Sequence, residues 1–86
     1  MRFPFTNTAK KQWQKLDPNA RAEMERKIEE MKQKPELFSQ NLKTVSALDP
    51  ATHRLRVGQY RLLLECDFES QTHIVLKLGH RKEVYL

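Results

Sequence analysis

With a single cysteine among 86 residues, Cys66, the chain can close no internal disulfide and build no thiolate-based metal site. Cys66 lies in an apolar run, where a buried inert thiol is a better reading than a nucleophile. There are only two glycines, and neither a GxGxxG nor a P-loop occurs. His53, His73 and His80 have no short metal-binding spacing, and HExxH is absent. No metal and no cofactor is therefore expected. No apolar run approaches the about 20 residues of a spanning helix, so no membrane segment is expected. The opening "MRFPFTNTAKK" lacks the apolar stretch and small-residue cleavage site of a signal peptide, and a cytoplasmic protein follows as the expectation. The length allows one core, so residues 1–86 read as a single domain.

What the chain does have is positive charge, +5 formally. The excess is spread: 10 Lys/Arg against 7 Asp/Glu in residues 1–50, and 6 against 4 in residues 51–86. Any basic patch must therefore be made by folding rather than by a charged tail. Such a balance fits a polyanionic partner or an acidic protein.

The first half has helical period. After a strand-capable "RFPFT", Thr6 or Asn7 can cap a helix with Ala9, Trp13 and Leu16 on one face. "LDPNA" stops it, and Asp17 with Pro18 starts another, striped by Ala20, Met24, Ile28 and Met31 and ended by Pro35. These stripes read as the core face of a helical hairpin, with Trp13 as a core anchor. Residues 35–50 are the least regular, a loop with at most a short strand or turn of helix.

The second half has period two. In "HRLRVG", His53, Leu55 and Val57 face one way and Arg54 and Arg56 the other. Gly58 and Gln59 make a tight turn, and two further strands follow, broken at "FESQ". A meander with one face on the helices would bury Leu55, Val57, Tyr60, Leu62, Leu64, Ile74, Leu76 and Leu78. The opposite face would show Arg54, Arg56, Arg61 and Lys77, with Arg81 just beyond, over an apolar floor of Leu63 and Val75. A sheet surface selected for solubility alone would mix signs, because like charges across a strand pair repel. Arginine forks on one face are suited to phosphate oxygens.

The stretches "HRLRVGQYRLLLE" and "VLKLGHRKEVY" resemble the RelE/ParE superfamily of toxins from type II toxin–antitoxin systems. The former is similar to the family's basic strand followed by G-x-Y-R, the latter to its last strand and C-terminal motif. Together with the helical hairpin, the likeness covers nearly the whole chain. It implies an α+β, RelE-like β-α-α-β-β-β fold, a curved antiparallel-rich sheet packed on one face by a helical hairpin. It also implies a toxin component of a type II system, neutralised by a cognate antitoxin. RelE-like members are ribosome-dependent endoribonucleases that cut mRNA; ParE-like members inhibit DNA gyrase without nuclease activity.

Carried over by position, the resemblance puts Arg54 and Arg56 on RNA, and Lys77 joins them as an RNA-binding residue by its place on the same open face. It gives Arg61 to charge on the scissile phosphate, Arg81 to the leaving 5′-oxygen and Tyr85 to the reacting nucleotide. Metal-independent RNA cleavage requires the 2′-OH to attack the adjacent phosphorus, and preplaced cations stabilise the charge that develops. Arginine is a poor general base. Tyr85 and His80 are the remaining choices for that role, and His80, sharing parity with Leu78, can equally pack at the rim of the core. The retained set Arg54, Arg56, Arg61, Arg81 and Tyr85 favours the nuclease over the gyrase inhibitor.

Overall fold

The computed structural model describes residues 1–80. Helices α1 (Asn7–Lys15), α2 (Pro18–Gln33) and α3 (Pro35–Gln40) precede strands β1 (Leu42–Thr44), β2 (His53–Val57), β3 (Tyr60–Asp67) and β4 (Thr72–His80). The strands form one antiparallel sheet in the order β1-β2-β3-β4.

Local chemistry accounts for the helix starts. Thr6 caps α1, its Oγ1 accepting from Ala9 N at 3.1 Å. Asp17 caps α2, its Oδ1 accepting from Asn19 N at 2.8 Å, with Pro18 opening the helix. Each such cap is worth about 1 kcal/mol. The outer face of α2 carries Glu23–Lys27, Arg26–Glu30 and Lys32–Glu29 ion pairs at 3.6–4.0 Å. Being exposed, these add only tenths of a kcal/mol each.

Residues 2–6 run parallel to β4 and bridge it at Arg2–Thr72 and Phe5–Val75. The ladder survives Pro4, which has no N–H, because its carbonyl accepts from Val75 N at 2.7 Å. Farther along β4, where this segment has left, the Gln12 side chain from α1 accepts from Leu78 N at 2.7 Å. The outer edge of β4 is thus partly covered, which limits unwanted strand pairing.

The main core lies between helices and sheet. Met24, Ile28, Met31 and Phe38 meet Leu55, Val57, Leu62, Leu64, Val75 and Leu78, with Trp13 and Tyr60 partly buried against them. Burial of each large apolar side chain contributes about 1.5–3 kcal/mol. The turn between β2 and β3 is Gly58-Gln59, with Val57 paired to Tyr60. Gly58 has φ +62°, a left-handed conformation that costs glycine nothing.

The phase of β4 differs from strict alternation. Leu63 pairs with Lys77 but Leu64 with Val75, so Leu76 is an extra residue, a β-bulge. Its carbonyl accepts from Thr6 Oγ1 at 2.8 Å. The bulge moves Val75, expected on the open floor, into the main core, and takes Leu76 out of it. Ile74 is only half-buried. Leu76 joins a second, smaller cluster with Val45, Leu48, Ala51 and Leu63 on the face away from the helices.

The same shift buries His73, 1% exposed, in a cage of Phe38 (5.0 Å, stacked), Phe68 (5.2 Å) and Phe3 (5.7 Å). Its Nδ1 has no hydrogen-bond partner among the described residues. Burial, then His53 and the N-terminal amine, holds its pKa below 6.5, opposed by Asp67. The unfolded chain therefore takes up this proton before the folded one does. Stability should fall as pH drops below about 6.5 and level off once the folded-state pKa is passed. Urea midpoints at pH 7 and pH 5 check this, and His73→Leu should flatten the difference.

Candidate phosphate-binding face

Because paired residues share a face and neighbours alternate, the strand register defines two rows on the side opposite the core. One row is Lys43, Arg54, Leu63 and Lys77, one residue from each strand. The next is Arg56, Arg61 and Gly79. Arg56 and Arg61 are direct cross-strand partners, where side chains start about 5 Å apart. Like charges so placed repel, and a shared anion relieves the repulsion.

Lys43, Arg54, Arg56 and Arg61 converge with Gln40 and Asn41 on a shallow cavity of about 210 Å³. Its rim is held from several sides. Asn41 O accepts from Arg56 N at 2.9 Å, and Asn41 Nδ2 donates to Leu37 O at 2.8 Å. Arg61 Nη1 donates to its neighbour's carbonyl, Tyr60 O, at 3.4 Å. Among the described residues, neither Arg54 nor Arg56 has an acidic partner.

Arg54, Arg56 and Arg61 thus come together as the alternation implies. Lys77 shares their face but lies beyond Leu63, lining a separate cleft. Lys43 is a cation that sequence reasoning missed; "LKT" does alternate, but over three residues only. His80 is not brought to this face. It pairs with Tyr60, its ring edge-on to that tyrosine at 6.0 Å, on the helix side of the sheet. There it borders cavities lined by Asp17, Tyr60 and Leu16, at the rim of the core. Arg81 and Tyr85 lie outside the described residues. Cys66 is half-buried and burial raises its thiol pKa, which keeps it protonated and unreactive. Among the described residues, no cluster of His, Cys, Asp or Glu is arranged to hold a metal, and no helix is long and apolar enough to cross a membrane.

The chain thus has a helical hairpin on one face of a four-stranded meander and a group of cations on the other. Residues 4–85 match the model of the ParE toxin of type II toxin–antitoxin systems, parDE. The chain belongs to this family, within the RelE/ParE superfamily, and is a type II toxin. No curated protein sequence matches it significantly. Solved structures do. A chain of the RelBE2 toxin–antitoxin complex from Mycobacterium tuberculosis is 28% identical, over 93% of this chain and 96% of that one, with a TM-score of 0.73. A chain of the RelB–RelE complex from Methanococcus jannaschii is 26% identical, over 95% and 94%, with a TM-score of 0.66. The isolated RelE toxin of E. coli is 26% identical, over 96% and 88%, with a TM-score of 0.60.

Proposed function

We propose that this toxin is a ribosome-dependent endoribonuclease that cleaves mRNA without a metal and is held inactive by a cognate antitoxin. The observation that carries the reading is the Arg56–Arg61 pair, flanked by Arg54 and Lys43 around one cavity. Catalysis of this kind depends on cations already in place where negative charge develops. The 2′-OH gives up its proton as O2′ bonds to phosphorus. The P–O5′ bond breaks, and the 5′-oxygen takes up a proton, leaving a 2′,3′-cyclic phosphate and a free 5′-OH. Arg61, with Arg56 opposite, faces the nonbridging oxygens in this scheme. The family likeness supplies Arg81 for the 5′-oxygen and Tyr85 for the reacting nucleotide, with Tyr85 the better base because His80 is on the other side of the sheet. His80→Gln should therefore leave the cleavage rate within about threefold in a single-turnover assay on programmed ribosomes.

Structures similar to this chain include toxin–antitoxin complexes of RelE with RelB, which supports an antitoxin partner here too. An acidic and apolar segment, ordering on the toxin, would screen the exposed cations. Purification from the native operon without a co-eluting small protein would count against that partner.

Membership of the ParE toxin family gives a second reading, inhibition of DNA gyrase with no chemistry. One experiment separates the two. Purified toxin is added to a translating extract, mRNA ends are mapped by primer extension, and a gyrase supercoiling assay is run in parallel. Codon-phased cuts that require ribosomes support the nuclease. Inhibited supercoiling with intact mRNA supports the gyrase inhibitor.

A further inference from the structure

Beside the cationic cavity, on the same face of the sheet, is a second recess with different chemistry. It measures about 330 Å³ and is lined by Leu48, Asp49, Pro50, Leu63, Leu76 and Lys77, among others. The β4 bulge creates its floor by turning Leu76 toward Leu63. Loop 45–51 forms its wall and is anchored at both ends. Val45 N donates to Thr52 O at 3.1 Å, Ala51 N to Leu48 O at 2.8 Å, and Thr52 N to Leu64 O at 2.8 Å. Thr52 Oγ1 also accepts from Cys66 N at 2.9 Å. The recess is preformed rather than a loose loop, with an apolar floor and polar groups at its rim.

Its position relative to the cations limits what it can take. Leu63 is two residues from Arg61 on β3, about 7 Å along the strand. It also pairs directly with Arg54 on one side and Lys77 on the other. A chain whose phosphate lies on Arg56 and Arg61 would therefore deliver, across one ribose, a flat apolar group to the slot. Apolar side chains can enclose the faces of a base where no aromatic ring is offered. At the rim, exposed Asp49 is an acceptor-only group with two oxygens. The base edge that matches a carboxylate is guanine's, because N1–H and N2–H are adjacent parallel donors. Adenine presents an acceptor at N1, and uracil flanks its one N–H with two carbonyls. Lys77, lining the same slot, offsets the repulsion between Asp49 and a nearby phosphate.

We infer that the slot between loop 45–51 and Leu63/Leu76 binds a single RNA base next to the phosphate on Arg56 and Arg61, with Asp49 selecting guanine. The inference rests on the proposed RNA-cleaving role, and its test is separable from that role. Binding of the heptaribonucleotides UUUGUUU, UUUAUUU and UUUUUUU is measured by fluorescence anisotropy at low salt, for the unaltered toxin, Asp49→Asn and Leu48→Glu. The unaltered protein should bind the guanine-containing strand roughly tenfold more tightly than the adenine-containing one, within the range of one bidentate contact. Asp49→Asn retains the shape but replaces an acceptor with a donor, so the ratio should fall to about one or reverse toward adenine. Leu48→Glu should abolish the preference by filling the slot with charge.

Equal affinity for all three strands, or a preference that survives both substitutions, overturns the slot even if the protein cuts mRNA. A preference that follows Asp49 in a protein that cuts no mRNA upholds the slot and removes the cleavage reading. Absence of binding to all three strands overturns the slot, while the cleavage reading is decided separately by primer extension on translating ribosomes. Thermal unfolding midpoints confirm that each variant is folded, and the isosteric Asp49→Asn decides the matter alone should Leu48→Glu fail to fold.

Discussion

Replacing Arg61 by alanine should lower the single-turnover rate of mRNA cleavage by roughly 10²–10³, the usual consequence of removing one preorganised donor. The magnitude follows from where Arg61 stands. It is half-buried on β3, directly opposite Arg56 and beside Gly79, which presents no side chain of its own. Its backbone lies in an inner strand of the sheet, paired on both sides. A half-buried guanidinium carried on so constrained a backbone has fewer positions to search when it meets a phosphoryl group. Arg61→Lys keeps the charge but loses the planar fork, so it should recover only part of the rate. Arg54→Ala, one row away and paired with Leu63, should act chiefly on binding. An Arg61→Ala protein that cleaves at the normal rate would remove this residue from the chemistry.

Much of this site was legible in the sequence because it depends on short-range rules. Alternation alone places Arg54, Arg56 and Arg61 on one face, and Gly58 marks the turn that brings Arg56 and Arg61 opposite each other. Thr6 and Asp17 cap their helices through contacts two or three residues away. Failures begin where the outcome is set by distant partners. In "THIVLKLGH", Ile74, Val75, Leu76 and Leu78 are apolar at both parities, so period two cannot choose a phase. The choice is made at the bulge, where the hydroxyl of Thr6, 70 residues away, donates to the Leu76 carbonyl. That single shift buries His73 and Val75 and opens the slot at Leu76. Strand β1 was obscure for a related reason. Its three residues carry too little pattern, and only pairing with β2 aligns Lys43 with Arg54.

The second large effect should appear in salt. Four cations, Lys43, Arg54, Arg56 and Arg61, line one cavity; with Arg56 and Arg61 sharing one phosphate, contact with three phosphate charges would give a slope of log K against log salt of about −2.1 on a single strand. Raising salt tenfold should therefore weaken binding of a short RNA by roughly 130-fold. Arg56 is exposed and gives up its charge without disturbing the core, so Arg56→Ala should reduce the slope by up to about 0.7. Lys43→Ala should do the same, and this is the sharper test. Lys43 enters the site only through the pairing of β1 with β2, so an effect equal to that of Arg56 requires that edge strand to be in place when RNA binds. A slope unchanged by either substitution would mean that the phosphate backbone lies elsewhere on the toxin. A slope reduced by Arg56→Ala but not by Lys43→Ala would confine the contact to the β2–β3 hairpin, leaving the β1 edge without a part in binding.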